Sequence, residues 1–239
     1  AWGDRVPALT EELRVAADRA VQGILPFHAV GTRFIEVGRS QIAWHAPQEN
    51  HQEWPAQLNR FFQLGPLAAA YQATGDERYA GAARDYIADW MRAHPIGSEW
   101  TMASYDNVLN LCIRVGNSQF GGWLGTLPVF ARSPSYDDSF CGDLIASAVA
   151  QIEYLWLNIA QDINWRIANA DTLLVSGILL DPLPQACALR VFAVQVLNDA
   201  WHRQILPDGV HMERNPGYHH WMTKVMERYW ELRRAFPEL

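Results

Sequence analysis

The sequence predicts an all-α fold, an incomplete (α/α) toroid of antiparallel helix pairs, on three observations. Apolar residues recur at helical spacing along most of the 239-residue chain, and only residues 32–37 are rich in strand formers. Short turns join some helices, while long segments rich in Gly, Pro, Asn, His and Trp join others. No fixed sequence repeat is visible, which disfavours a regular helical-repeat array.

The helices are predicted in chain order from their apolar patterns. One helix is expected over residues 8–23, and a helix pair over residues 55–93. Within that pair, Gly75 can end the first helix in the left-handed conformation and Asp76 can cap the second. His94-Pro95-Ile96-Gly97 then ends the pair. Further helices are predicted over residues 105–117, 138–160, 165–180, 184–205 and 218–235.

The remaining segments, 24–54, 94–104, 118–137 and 206–217, are predicted to be long loops. Functional side chains concentrate on loops that a rigid scaffold holds, so we expect the chemistry there. The whole chain, 1–239, is predicted to be one toroid domain, with an N-terminal helix and loops over 1–54 and the core over 55–239. Both ends of the sequence resemble cuts in a longer protein.

Composition limits the function classes. Apolar residues make up 49% of the chain and charged residues 19%, which indicates a globular protein. No apolar run is long enough to span a membrane. The net charge of −7 argues against nucleic acid as a partner. It leaves an acidic sugar polymer open, because the local potential in a cleft governs binding.

Cysteine and tryptophan carry further predictions. Cys112, Cys141 and Cys187 are widely spaced without a CxxC pair, so we expect small buried apolar residues and neither a disulfide nor a metal cluster. Eleven Trp residues suit stacking on sugar rings as well as core packing. Those beside polar or turn residues are the candidates for a wet cleft: Trp44, Trp54, Trp100, Trp123, Trp165 and Trp221.

Two segments, 164–171 and 206–220, are dense in polar residues. Asn164 stands where a helix is predicted to open, and Tyr218-His219 stand at the start of the last helix. Two turn signals, at 207–209 and 215–217, precede Tyr218. A helix N-terminus favours an anion such as a carboxylate or a phenolate.

Several stretches together resemble the helical domain of heparinase II/III-type lyases, a family that includes heparinases and alginate lyases. They are QLNR at 57–60, AAYQATGDERYA at 69–80, NWR at 164–166, and the block from Arg203-Gln204 through Asp208-Gly209 and Glu213 to Tyr218-His219. The second stretch alone occurs in many helical toroids, whereas the ordered set is much more specific. The resemblance covers about residues 50–236.

The resemblance implies a lyase that cleaves uronic-acid-containing polysaccharide by β-elimination without a cofactor. Asn164 matches the residue that neutralises the substrate carboxylate, and Tyr218 matches the catalytic base and acid. In that family a C-terminal β-sandwich completes the cleft, and this chain ends before one. The resemblance also implies a periplasmic or secreted protein. No metal site is expected, because the His spacing lacks HxxxH and HExxH patterns.

Other residues are assigned less specifically. Some family members carry a His at or beside the Asn, where this chain has Trp165, and in many members a further catalytic His comes from the β-sandwich. His202, His211, His219 or His220 could take part instead, and none of them matches a family motif; His219 is taken as the third catalytic candidate. A nearby cation such as Arg166, Arg214 or His219 could lower the pKa of Tyr218. The expected substrate-binding residues are Arg60, Trp165, Arg166, Glu213, Arg214 and Trp221.

Competing interpretations remain open from the sequence. Asn164 could cap a helix, Tyr218 could pack as a helix-start anchor, and the arginines could form ordinary ion pairs. An inverting glycoside hydrolase on the same fold would pair Asp137 or Asp138 with Glu99 or Glu213. A third interpretation is a sugar-binding helical scaffold without activity.

Overall fold

The computed structural model describes residues 6–27, 33–47, 51, 53–98, 108–116 and 121–236. Within these residues the chain forms ten helices and one two-stranded hairpin, which confirms the all-α prediction. The elements are α1 (Glu11–Val21), β1 (Ile24–Phe27), β2 (Arg33–Glu36), α2 (Glu53–Asn59), α3 (Leu64–Thr74), α4 (Glu77–Ala93), α5 (Val108–Gly116), α6 (Gly122–Phe130), α7 (Asp138–Leu157), α8 (Ile163–Leu179), α9 (Ala186–Gln204) and α10 (Pro216–Ala235).

The turn between α3 and α4 forms as its sequence predicts. Gly75 has a φ of 67°, the left-handed conformation that ends α3. The Asp76 carboxylate accepts a hydrogen bond from the Arg78 backbone N–H at 3.0 Å and caps α4. The Tyr79 hydroxyl donates to Asp18 of α1 at 2.7 Å. The turn sequence therefore builds the scaffold and joins α4 to α1.

Two predicted boundaries are wrong. The first helix of the predicted pair is two helices, because Phe61 has a φ of 58° and the chain turns between α2 and α3. The predicted loop 118–137 contains α6, whose Gly residues and internal Pro128 conceal a helix that is buried on most sides. A bulky apolar residue such as Phe61 gives no sequence signal of a left-handed conformation.

The N-terminal region also holds more regular structure than predicted. β2 lies within the predicted strand former run, but β1 pairs with it antiparallel, from Ile24 opposite Glu36 to Phe27 opposite Arg33. Pro26 lies in this edge strand, where it disrupts little. Gly23 approaches Gly38 so closely that an added Cβ would lie 2.7 Å from the Gly38 Cα. These two glycines therefore allow the segments before β1 and after β2 to lie close together.

Two helices form the buried centre of the toroid. Every residue of α5 is buried, as is the stretch from Ile167 to Gly177 of α8. Both helices carry buried polar side chains among the apolar ones, and Arg114 donates to Gln151 at 2.8 Å while Asn169 donates to the Val108 carbonyl at 3.0 Å. α8 packs on α5, α7, α9 and α10. These neighbours therefore fix the position of the first turn of α8, which contains Asn164.

Several tryptophans predicted to line a cleft belong to the core instead. Trp44, Trp54 and Trp123 are 2%, 3% and 0% exposed. Trp44 stacks on Phe61 and Trp123 meets the same ring edge-on, so flat apolar area here fills space between helices. Trp165 and Trp221 are half-buried, and Trp100 lies outside the described residues.

The cysteines are free thiols. Cys112 is buried as predicted, Cys141 is half-buried, and Cys187 is exposed because it lies in the first turn of α9 on the solvent side. No helix among the described residues is long and apolar enough to cross a membrane. Within the same residues no group of three or more His, Cys, Asp and Glu side chains is placed to hold a metal ion.

Candidate active site

The start of α8 fixes Asn164. Asp162 caps the helix, and its carboxylate accepts from the Ile163 N–H at 2.9 Å. Asn164 is only 2% exposed, and its backbone N–H and its side-chain Nδ2 both donate to Oε2 of Glu213, at 2.9 Å and 2.7 Å. Its Oδ1 is buried and accepts no hydrogen bond from the described residues. Asn164 is therefore a polar anchor with unused hydrogen-bonding capacity.

The segment that leads into α10 is held by a buried chain of polar side chains. The His211 ring is fully buried, and its Nε2 lies 2.9 Å from Oε1 of Gln204. Nε2 of Gln204 donates to Asp162 at 3.2 Å, and the Glu213 N–H donates to Nδ1 of His211 at 3.4 Å. These partners assign the proton to Nε2 of a neutral imidazole.

Burial explains why that imidazole is neutral. Loss of water around the ring lowers the pKa of His211 below its ordinary value, although the Glu213 carboxylate acts in the opposite direction. The neutral ring joins the start of α8 to the segment before α10. The two polar segments singled out from the sequence are consequently one unit in space.

Tyr218 stands in the first turn of α10. Asn215 caps this helix by accepting from the N–H groups of Gly217 and Tyr218, at 2.8 Å and 3.1 Å. The Tyr218 side chain is 42% exposed, and its hydroxyl forms no hydrogen bond with the described residues. The residue does not pack as a buried anchor, so the phenol is available to a ligand.

Arg60 connects the end of α2 to the same region. Its Nε donates to Oδ1 of Asn110 at 2.7 Å, and its guanidinium pairs with Glu53 at 3.2 Å. Burial lowers the pKa of Arg60, and the interaction with Tyr218 is among the smaller effects that raise it. Asn110 and Glu53 therefore already hold the Arg60 guanidinium.

The remaining candidates differ in how far the fold already uses them. Nδ1 of His219 accepts from the His211 N–H at 3.4 Å, which leaves Nε2 of its half-buried ring. Arg166 donates to the Ala160 carbonyl at 3.1 Å and lies 3.8 Å from Asp199. Arg214 is exposed, has a φ of 50° and forms no ion pair among the described residues.

Two of the carboxylates that the hydrolase interpretation would pair, Asp137 and Glu213, form other contacts. The Asp137 carboxylate caps α7 by accepting from the Phe140 N–H at 2.8 Å. Glu213 holds Asn164, and Glu99 lies outside the described residues. Nothing in the described geometry favours this alternative.

Sequence reasoning missed several members of the cluster. The contact of Arg60 with Asn110 joins positions 50 apart in the chain, and that of His211 with Gln204 joins positions 7 apart across the loop after α9. No local sequence pattern predicts either contact. Asp162 had a usable signal, since an Asp directly before a helical pattern is typical of an N-cap. Two grooves among the described residues, about 470 Å³ between α4 and α7 and about 580 Å³ between α1 and the hairpin, include none of the residues predicted for the lyase site. Asp137 of the hydrolase interpretation lines the first of them.

Comparison with known proteins identifies the family to which the chain belongs. The fold is that of the helical toroid domain of polysaccharide lyases. The sequence model named Heparinase II/III N-terminus matches residues 7–235, so the chain belongs to the heparinase II/III family. The match begins well before residue 50, so α1 and the β-hairpin are part of the family domain as well.

The individual relatives agree with this assignment. The chain is 29% identical over 214 residues to a heparin-sulfate lyase of Pedobacter heparinus, covering 86% of this chain and 30% of that protein. A heparin-sulfate lyase of Bacteroides stercoris is 25% identical over 189 residues, 72% of this chain and 27% of that protein. The crystal structure of heparan sulfate lyase HepC from Pedobacter heparinus superposes with a TM-score of 0.79 at 25% identity, over 97% of this chain and 36% of that one. The chain thus spans about a third of the length of these relatives.

Proposed function

We propose that this domain carries out β-elimination on a uronic-acid-containing polysaccharide, with Asn164 neutralising the carboxylate and Tyr218 transferring the proton. The observation that carries the proposal is the unused hydrogen-bonding capacity of both side chains. Asn164 is held by Glu213, yet its second Nδ2–H and its Oδ1 have no partner among the described residues. The Tyr218 hydroxyl, on a residue that is 42% exposed, likewise bonds to none of them.

The chemistry needs these two groups. Removal of the C5 proton of a uronate places negative charge on the carboxylate, and an amide N–H aimed at an oxygen there stabilises that charge as it develops. The Tyr218 phenolate takes the C5 proton, the electrons of the C5–H bond form the C4–C5 double bond, and the C4–O4 bond breaks. The phenol then returns its proton to O4. Every proton and electron pair is accounted for within one residue and one substrate.

Cationic side chains support the binding of an acidic polymer. Arg214, four residues before Tyr218, is exposed, and Arg60 is half-buried beside Glu53. We propose both as contacts for the negatively charged sugar chain. His219, Trp165, Arg166 and Trp221 remain predicted contributors to catalysis and to binding of the sugar chain.

The substrate is proposed from the relatives. Those named heparin-sulfate lyases point to an acidic glycosaminoglycan of the heparan sulfate type as the first substrate to test. The relatives are about three times as long as this chain, and we propose that a C-terminal β-sandwich domain of the full-length protein completes the cleft.

The test is a substrate screen with the full-length protein. Heparan sulfate, alginate and a neutral polysaccharide are incubated with it while ultraviolet absorbance is followed, because elimination creates a conjugated C4–C5 double bond. We expect absorbance to rise with a uronate polymer and not with the neutral control. Chain cleavage without absorbance would identify a hydrolase, and binding without cleavage would identify an inactive scaffold.

A further inference from the structure

The Glu213 carboxylate is the only protein partner of the Asn164 side chain among the described residues. One oxygen, Oε2, accepts both from the backbone N–H of Asn164 and from its Nδ2, at 2.9 Å and 2.7 Å. The Glu213 side chain is 19% exposed, so these bonds lie in a largely dehydrated setting. Hydrogen bonds to an ionised acceptor are the stronger kind, and exclusion of water strengthens them further.

We infer that Glu213 is a positioning residue. By binding one hydrogen of Nδ2, it holds the Asn164 amide so that Nδ2, and not Oδ1, is the end that serves the substrate carboxylate. A side-chain amide can flip, because its oxygen and nitrogen ends have nearly the same shape. A carboxylate only accepts hydrogen bonds, so it admits the Nδ2 end of Asn164 and excludes the Oδ1 end. This inference rests on the proposed role of Asn164, and it assigns Glu213 a task other than the substrate contact expected from the sequence.

Glu213 is itself held in place by the buried polar chain. Its backbone N–H donates to Nδ1 of His211, and the N–H of Met212 donates to the Gln204 carbonyl at 2.7 Å. Gln204 in turn reaches Asp162 at the start of α8. The carboxylate and the amide are therefore fixed by one framework, which is the condition for precise orientation of a catalytic group.

The charge of Glu213 opposes catalysis, whereas its hydrogen bond to Asn164 favours it. The direction in which kcat changes when the charge is removed therefore tests the inference. A carboxylate beside Asn164 repels the negative charge that develops on the substrate. Glu213→Gln removes this repulsion and would raise turnover if charge dominated. The same substitution allows the Asn164 amide to flip, because Gln can present either oxygen or nitrogen, and it would lower turnover if orientation dominated. We expect orientation to dominate.

The experiment compares Glu213→Gln with Glu227→Gln in the full-length protein. Both replace a glutamate by its amide, but Glu213 contacts the Asn164 side chain, whereas the exposed Glu227 pairs with Lys224 on α10. We expect kcat of Glu213→Gln to fall about 10- to 100-fold with a small change in KM, as for a misplaced catalytic group. Glu227→Gln should keep kcat close to that of the wild type. A rise in kcat for Glu213→Gln, or an equal fall in both variants, would overturn the inference.

A double-mutant cycle separates positioning from a structural role. If Glu213 acts through Asn164, then Asn164→Ala combined with Glu213→Gln is no slower than Asn164→Ala alone, whereas independent effects multiply. Glu213→Asp keeps an acceptor-only group and should recover part of the lost kcat, and it serves in the same comparison if Glu213→Gln fails to fold. Multiplicative losses, or no recovery with Asp, contradict the inference.

The outcome for Asn164→Ala distinguishes the two proposals. If that variant keeps the wild-type kcat, the neutralising role of Asn164 is wrong, and the role of Glu213 falls with it. If that variant is slow while Glu213→Gln is not, the proposed function stands and the positioning role alone is wrong.

Discussion

The turn between α3 and α4 and the end of the toroid formed by α8 and α10 are equally rich in motif residues, but they use them differently. In the turn, the Tyr71 hydroxyl donates to Glu77 at 3.1 Å and the Tyr79 hydroxyl donates to Asp18 at 2.7 Å. Both tyrosines are nearly buried, and their polar atoms are satisfied by the protein. The whole motif serves to hold three helices together.

At the other end, hydrogen-bonding capacity is left over. The Tyr218 hydroxyl has no partner among the described residues, and the buried Oδ1 of Asn164 has none either. A buried polar atom without a partner costs stability, so its retention is consistent with a functional role. Between these two regions, therefore, unused hydrogen-bonding capacity and not the density of motif residues distinguishes the candidate site from the turn.

The largest expected effect comes from removing one hydroxyl in each region. Tyr218→Phe should lower kcat by about 10²- to 10⁴-fold, the usual contribution of an acid–base group. The melting temperature should not change, because the hydroxyl bonds to none of the described residues. Tyr79→Phe should keep kcat and lose about 1 kcal/mol of unfolding free energy with its hydrogen bond. Ultraviolet assays and urea unfolding measure the two quantities. A loss of kcat with Tyr79→Phe and none with Tyr218→Phe would invert the comparison.

The next effect tests the amide. Asn164→Ala should lower kcat by roughly 100-fold, in the range found for single donors that stabilise developing negative charge, and should change KM little. Initial rates over a range of polysaccharide concentration provide both parameters. A change confined to KM would assign Asn164 to ground-state binding.

A smaller effect is expected from the backbone of the turn. Gly75→Ala should cost about 1 kcal/mol of unfolding free energy, because φ is 67° there and a Cβ is strained in that conformation. An added Cβ meets nothing within 4 Å, so the strain is in the backbone alone. Gly75→Asn should cost less, since Asn tolerates the left-handed region. Urea midpoints that are equal for Ala and wild type would contradict this, and kcat should not change in either variant.

The smallest effect concerns pH and the buried His211. Its pKa is lowered in the folded state, so as pH falls below about 6.5 the unfolded chain binds a proton that the folded chain does not. Stability should therefore decline as pH falls from about 7 to about 5. His211→Gln retains a donor for Gln204 and should show a shallower decline. Parallel curves for the two proteins would show that His211 does not carry the effect.

The parts of the fold that local chemistry decides could be predicted from the sequence. Gly75 and Asp76 marked the turn between α3 and α4, and apolar periodicity marked α7 through α10. The break at Phe61 could not be predicted, because tertiary packing imposes its positive φ against local preference. Helix α6 escaped notice because Gly and Pro128 mask a helix that packing stabilises.

The candidate site divides in the same way. Asn164 and Tyr218 followed from a family pattern, and turn signals placed Tyr218 at a helix start. The pairing of Glu213 with Asn164 spans 49 positions in the chain and that of Arg60 with Asn110 spans 50. Such contacts depend on how the helices pack, so only the structure reveals them. The prediction that Trp44 and Trp123 line a wet cleft is wrong for the same reason, since polar neighbours in sequence do not decide which side of a helix or loop faces water.

The most direct test of a site formed by Asn164 and Tyr218 together is a crystal structure of the full-length Tyr218→Phe variant with a heparan sulfate oligosaccharide. The account predicts one uronate with a carboxylate oxygen within hydrogen-bond distance of Nδ2 of Asn164 and with its C5–H facing the ring at position 218. An oligosaccharide seated elsewhere, for example in the groove between α4 and α7, or a uronate whose carboxylate turns away from Asn164, would contradict it.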